Sequence, residues 1–152
     1  MSDEVLRRIE GRAAVLSLNR PSALHALSLN MVRLLTAELQ RLRAVDAVGC
    51  ILLEHASGRG FCAGGDIRAL LDSVQHDGGV SGRRFFYEEY QLDQLIGSYD
   101  KPVLVVMDGL TMGGGVGISL PARWRVATEH TRFAMPETGI GLFPDVGGGY
   151  YL

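Results

Sequence analysis

Glycine placement limits what this chain can fold into more than any other feature. Its 20 glycines, about twice the usual share, concentrate around residues 57–65, 113–117 and 145–149. The first two groups directly follow short apolar runs, Cys50-Ile51-Leu52-Leu53-Glu54 and Val103–Met107. Such runs, bounded by turn residues, read as buried strands. Glycine at a strand end permits a positive φ and lets a ligand approach the backbone closely. Sites are therefore expected at the ends of buried strands.

The remaining elements follow from periodicity. Residues 5–9 and Ala13–Leu18 are β-type runs around Glu10-Gly11-Arg12 and predict a hairpin. Ser28 can cap a helix running to about residue 46, with Met31, Leu34, Leu35, Leu39, Leu42 and Val45 as its core stripe. A short helix is expected over 66–74, a mobile polar loop over 75–82, and a longer helix over 83–98, which Lys101-Pro102 ends. Short strands are expected near 124–128 and 131–134, before the last glycine turn. Strand, strand and helix recur without a linker, which predicts one α/β domain over residues 1–152.

Composition narrows the function. A hydrophobic content of 47% supports a sizeable core, and no apolar run reaches membrane-spanning length. The formal charge of −2 and scattered basic residues give no footing for nucleic acid. The opening stretch, with Asp3 and Glu4 and no apolar core, resembles neither a signal nor a transit peptide, so the cytoplasm is expected. Two cysteines and four scattered histidines lack the spacing of a disulfide framework or a metal centre, so no metal is expected.

The loop Gly58-Arg59-Gly60-Phe61-Cys62-Ala63-Gly64-Gly65-Asp66 has three readings. It fits the dinucleotide fingerprint poorly, because Gly64-Gly65 prolong the loop where that motif opens a helix and no acid ends a second strand about twenty residues on. It could be a tight turn that needs positive φ. It could also present backbone N–H groups to an anion at a helix start. Met112-Gly113-Gly114-Gly115-Val116-Gly117 could supply a second such donor, or a close helix-packing surface. Two donors converging on one oxygen would stabilise an oxyanion.

Two carboxylates follow, Glu137 and Asp145, eight residues apart and separated by glycine and proline turns. They are either surface acids or partners across a shared cavity. Glu137 sits in an apolar segment, where burial favours general-base work. Glu88 and Glu89 form a further acidic pair on a predicted helix, where at most one should face a site. Cys62 lies beside the first loop, but no neighbouring histidine offers to activate it. His25 is expected to be solvated or a packing residue.

Taken together, GFCAGGDI, TMGGGVGIS and FAMPETGIGLFPDVGGG resemble the crotonase (enoyl-CoA hydratase/isomerase) superfamily over essentially the whole chain. That resemblance implies a spiral of β-β-α units, acyl-CoA as the substrate with no separate cofactor, and an oxyanion hole from the N–H groups of Gly65 and Gly114. It places CoA along the segments holding Ala23, Leu24, Ala63, Gly65, Asp66 and Ile67. Hydratases of the superfamily carry one catalytic glutamate three residues after the second oxyanion glycine and another in the Pro-Glu motif. Gly117 stands at the first of these positions and Glu137 at the second.

Residues 85–90 (FFYEEY), TMGGGVG, and MPET followed by FPDVGGGY are similar to the 3-hydroxyisobutyryl-CoA hydrolase branch. There, positions matching Glu89, Gly114, Glu137 and Asp145 line the substrate site. The resemblance implies thioester hydrolysis in valine catabolism, with Glu137 and Asp145 as the working carboxylates and Gly65 and Gly114 as donors. Hydratase or isomerase activity is the alternative within the superfamily. Because family members continue beyond the position of Leu152, a domain incomplete at its C-terminus, a homo-oligomer, or an inactive association-prone module are further expectations.

Overall fold

The computed structural model describes residues 4–152; the part of the opening stretch that includes Asp3 lies outside them. Strand β1 (Val5–Glu10) turns back antiparallel on β2 (Ala13–Leu18), then α1 covers Leu29–Arg43. Strands β3 (Cys50–His55) and β4 (Gly60–Cys62) lead to α2 (Ile67–Asp77) and α3 (Val80–Gly97). Strands β5 (Val103–Met107) and β6 (Leu110–Met112) lead to one helical turn, α4 (Gly114–Gly117). The last unit is β7 (Trp124–Ala127), β8 (Arg132–Ala134) and the short α5 (Gly148–Tyr151), with a 3-10 turn at Glu137–Ile140 between them.

Each turn of this spiral after the first sends one strand to each of two sheets. The larger sheet has the order β1-β2-β3-β5-β7 and the smaller β4-β6-β8. Past the opening hairpin all pairings are parallel. Strand β2 is buried along almost its whole length, as a continuous apolar run in a covered sheet should be. Met31, Val32, Leu35, Leu39 and Leu42 of α1 pack into the core with Leu16, Ile51, Leu53 and Val105 of the sheet. Ser28 caps that helix by accepting the Met31 N–H at 3.0 Å. The stripe differs from expectation in two places: Val32 is fully buried while Leu34 is only half-buried, and the helix ends at Arg43, so Val45 packs against the core from beyond it and is only partly buried.

The predicted loops need two corrections. Residues 57–65 are not a single loop, because Gly60–Cys62 pairs with β6 to begin the second sheet. A three-residue strand rich in glycine offers no alternation to read. The glycine is structural, since a Cβ on Gly60 would stand 2.8 Å from Leu110 Cβ. Nor is 75–82 a mobile loop, since only Gly78 and Gly79 lie outside the helices. The Asp77 carboxylate accepts the Val80 and Ser81 N–H groups at 2.8 and 3.1 Å and starts α3 at once. Gly82 is buried against Ser73, whose hydroxyl accepts its N–H at 2.9 Å.

Candidate active site

Strands β4 and β6 are neighbours and parallel, so the glycine loops that leave their ends lie side by side. Gly64 and Gly113 adopt φ of +105° and +49°, conformations that side chains resist. Contact between the loops is tight: a Cβ on Gly64 would lie 3.5 Å from Gly114 N, and one on Gly114 would lie 3.3 Å from Gly65 N. The first loop is pinned to the preceding segment, with Leu27 N–H donating to Gly64 O at 2.7 Å and Ala63 N–H to Leu24 O at 3.0 Å. Gly113 N–H donates to Ala134 O at 3.3 Å, which pins the second. Neither Gly65 N–H nor Gly114 N–H has a hydrogen-bond partner among the described residues.

Both glycines open onto a cavity of about 460 Å³, also lined by Ala63, Ile67, Glu89, Tyr90, Glu137 and Asp145. Three carboxylates distant in sequence thus line one cavity. Glu89 is 2% exposed, projects from α3 against Gly114, and its Oε1 has no partner among the described residues. Burial, followed by repulsion from Asp93, Asp145 and Glu137, holds its carboxyl well above the ordinary range. Its neighbour Glu88 faces away and is clamped by Arg33 at 2.7 and 2.8 Å, which holds its own pKa down.

Glu137 is 7% exposed, opens the 3-10 turn, and leaves Oε2 unpartnered among the described residues. Its other oxygen sits against Gly113, where an added Cβ would be 2.9 Å away. Asp145 accepts the Tyr90 hydroxyl at 2.5 Å. Burial and then that hydrogen bond raise the phenol pKa, so Tyr90 remains a donor.

The predicted CoA-lining residues divide. Ala63, Gly65 and Ile67 line the cavity, whereas Ala23, Leu24 and Asp66 do not. Asp66 instead caps α2 through the Ala69 N–H at 3.2 Å and pairs with Arg20 at 2.9 Å. Leu24 and His25 both adopt positive φ. His25 is fully buried, so the solvated reading gives way to packing: Nδ1 accepts the Arg20 N–H at 3.0 Å and Nε2 donates to Ser57 O at 2.7 Å. Burial lowers its pKa accordingly. Cys62 is fully buried, which pushes its thiol up to about 12 and removes the thiolate a nucleophile needs. Among the described residues no three His, Cys, Asp or Glu side chains gather as a metal-ligand set.

Gly117, where hydratases of the superfamily carry a glutamate, is tightly enclosed. A Cβ there would lie 2.5 Å from Val146 Cβ and 3.0 Å from Asp93 Oδ2, so this backbone has no room for a side chain at position 117. Val146 is itself buried at φ of +44°. Sequence reasoning missed Asp93, though its place four residues after Glu89 puts it on the same helix face.

The sequence pattern of the enoyl-CoA hydratase/isomerase family matches residues 13–152. The chain belongs to that family. It is 50% identical over 149 residues to the mitochondrial 3-hydroxyisobutyryl-CoA hydrolase of Danio rerio, covering 98% of this chain and 39% of that protein. It is 46% identical over 151 residues to the mitochondrial 3-hydroxyisobutyryl-CoA hydrolase of Homo sapiens, covering 99% of this chain and 39% of that one. Among solved structures, a carnitinyl-CoA dehydratase from Mycobacterium thermoresistibile superposes with a TM-score of 0.94 at 45% identity, over 98% of this chain and 44% of that chain. An enoyl-CoA hydratase from Rhodobacter sphaeroides 2.4.1 superposes at 0.91 with 39% identity, over 96% and 43%. The chain therefore spans about 39% of the length of these curated relatives, and its fold is that of the crotonases.

Proposed function

We propose that this chain carries the catalytic wall of a hydrolase that cleaves a short-chain 3-hydroxyacyl-CoA thioester, with 3-hydroxyisobutyryl-CoA giving 3-hydroxyisobutyrate and free CoA. The observation that carries the reading is the filled space at Gly117: Val146 and Asp93 occupy it, while Glu137, Asp145 and Glu89 surround the cavity. With Gly117 in place of the first glutamate of a hydratase, the pair that positions water for addition to a double bond is incomplete, which speaks against simple hydration. It keeps what acyl transfer needs. The thioester oxygen would lie between the N–H groups of Gly65 and Gly114, which would stabilise the developing oxyanion by about 3 kcal/mol. Glu137 would attack the carbonyl carbon or take the proton of an attacking water.

Asp145, aligned by Tyr90, would take up a proton or hold the 3-hydroxyl, and Glu89, protonated, would donate a hydrogen bond. Thiolate leaves readily, so the scheme needs no metal and no cofactor beyond the CoA of the substrate. The identity to hydrolases supports this branch, and the family resemblance adds a place in valine breakdown. The deciding assay is thiol release from 3-hydroxyisobutyryl-CoA by the full chain, beside water addition to crotonyl-CoA. Hydration without thiol release would overturn the proposal. Glu137→Ala should lower kcat by about 100-fold or more while CoA still binds; retained turnover would remove its role. Location is tested separately: imaging the tagged full chain decides between the cytoplasm, expected from the opening residues, and the mitochondria named for the relatives.

A further inference from the structure

Thioester hydrolysis leaves a proton to dispose of, and the structure contains a place for it to go. A C–O bond forms from water, the C–S bond breaks, sulfur keeps one proton, and the new carboxylic acid ionises near neutrality. One proton must therefore leave the protein in each turnover. In the proposed reaction acyl-CoA fills the first cavity, so the mouth of that cavity is closed while the proton is produced.

A second cavity of about 580 Å³ adjoins the first, and Tyr90, Phe143 and Asp145 line both. Asp93 lines only the second. It is 8% exposed, and neither carboxylate oxygen has a partner among the described residues. A buried carboxylate without donors opposes folding, so its presence calls for a role. The acids and phenols that face it are Glu89 and Tyr90 of α3, Asp145 of the loop before α5 and Tyr151 of α5, with Glu137 acting on Glu89. From α4 it lies against Gly117, and among the described residues no Lys, Arg or His lines the cavity. Burial and the charge of Asp145 raise its proton affinity, which suits a group that holds a proton and passes it on.

We propose that Asp93 is the residue through which Asp145 exchanges its proton with solvent, water in the second cavity linking the two carboxylates and leading to bulk. This rests on the hydrolase reading, in which Asp145 handles a proton. Asp93 touches no substrate; it acts through Asp145.

The test uses the full chain. Asp93→Asn preserves shape but carries no exchangeable acid proton, and it should lower kcat about tenfold or more with KM little changed. Its solvent deuterium isotope effect on kcat should rise, and added formate, small enough to enter the second cavity, should restore part of the rate. Asp93→Glu should recover most of kcat. Wild-type kcat and isotope effect in Asp93→Asn would overturn the relay, as would a slow variant that neither formate nor Asp93→Glu rescues. A second measurement stands apart from turnover. With CoA filling the first cavity, the infrared carboxyl band that Asp93→Asn removes should still exchange in heavy water and titrate with external pH. A band frozen by CoA would sink the relay even if thiol release were observed, whereas absent thiol release with normal exchange would sink only the hydrolase reading.

Discussion

Glu88 and Glu89 are chain neighbours with opposite roles. A helix turns about 100° between them, so one meets Arg33 in solvent while the other is sealed against Gly114. That division was legible in sequence from helical geometry alone, although which glutamate turned inward rested on family resemblance. The buried one gives a signed pH prediction. The folded-state pKa of Glu89 is raised, so its protonated form favours the fold below the unfolded-state value, and that contribution is lost as pH rises toward the folded value. Glu89→Gln should therefore gain stability relative to wild type as pH climbs from the ordinary carboxylate range, read by urea titration at several pH values. A pH-independent difference would mean that Glu89 is not held protonated. At Gly117 the expectation is steric: Gly117→Ala places a methyl 2.5 Å from Val146 Cβ and should cost about 1–3 kcal/mol. Gly117→Glu should likewise lose stability without gaining hydration of crotonyl-CoA, and an active hydratase from it would show that Val146 yields easily.

Among the elements, α1 was the most readable and shows why. It is long, its apolar positions repeat at helical spacing, and a single residue begins it. Ser28 accepts the Met31 N–H at 3.0 Å and donates to Glu4 at 2.7 Å. Ser28→Ala should lower stability by about 1 kcal/mol, measured by urea unfolding of the full chain, while Ser28→Asp should retain much of the cap. Of the second sheet only β8 was readable, as the strand expected near 131–134; β4 and β6 were not, because they have three residues each and their pairing is decided by distant partners. The α2–α3 junction failed for a related reason. Its polar composition suggested a loop, yet Gly78, at positive φ, ends one helix and the Asp77 carboxylate starts the next. Hydrogen bonds from Ser73 and Ser81 depress the Asp77 pKa. Its contribution is present above the unfolded-state value and lost as pH falls through the folded one, so the Val80 and Ser81 amides should exchange faster in acid than those of mid-α3. The candidate site was legible as motifs, since three glycine clusters end in one region. Asp93 and Val146 were invisible, because only folding brings them to Gly117.

Across the whole molecule, the two edges of the larger sheet are built differently. Strand β1 closes one edge with Arg7, Arg8 and Glu10, and Arg8 is paired to Glu10 and Glu54 at 2.6 and 2.7 Å. Charges on an edge discourage another strand from adding. Strand β7 forms the other edge with Trp124 and Val126 exposed, and its one charge, Arg125, is turned onto the Leu120 and Ala122 carbonyls at 2.6 and 2.5 Å. Phe133, Ile140, Leu142, Phe143 and Tyr150 add exposed apolar surface in the following segment. A four-residue edge without a free charge and with apolar neighbours is a template for a second copy of the same chain. These 152 residues alone should therefore self-associate in a concentration-dependent way, seen as a rising weight-average mass in multi-angle light scattering. Val126→Lys places a charge at the centre of that edge and should shift the distribution toward monomer, whereas Arg7→Ala on the protected edge should not. Association that persists unchanged in Val126→Lys would assign it to the apolar segment after β8, and a strict monomer across concentrations would show that the β7 edge protects itself.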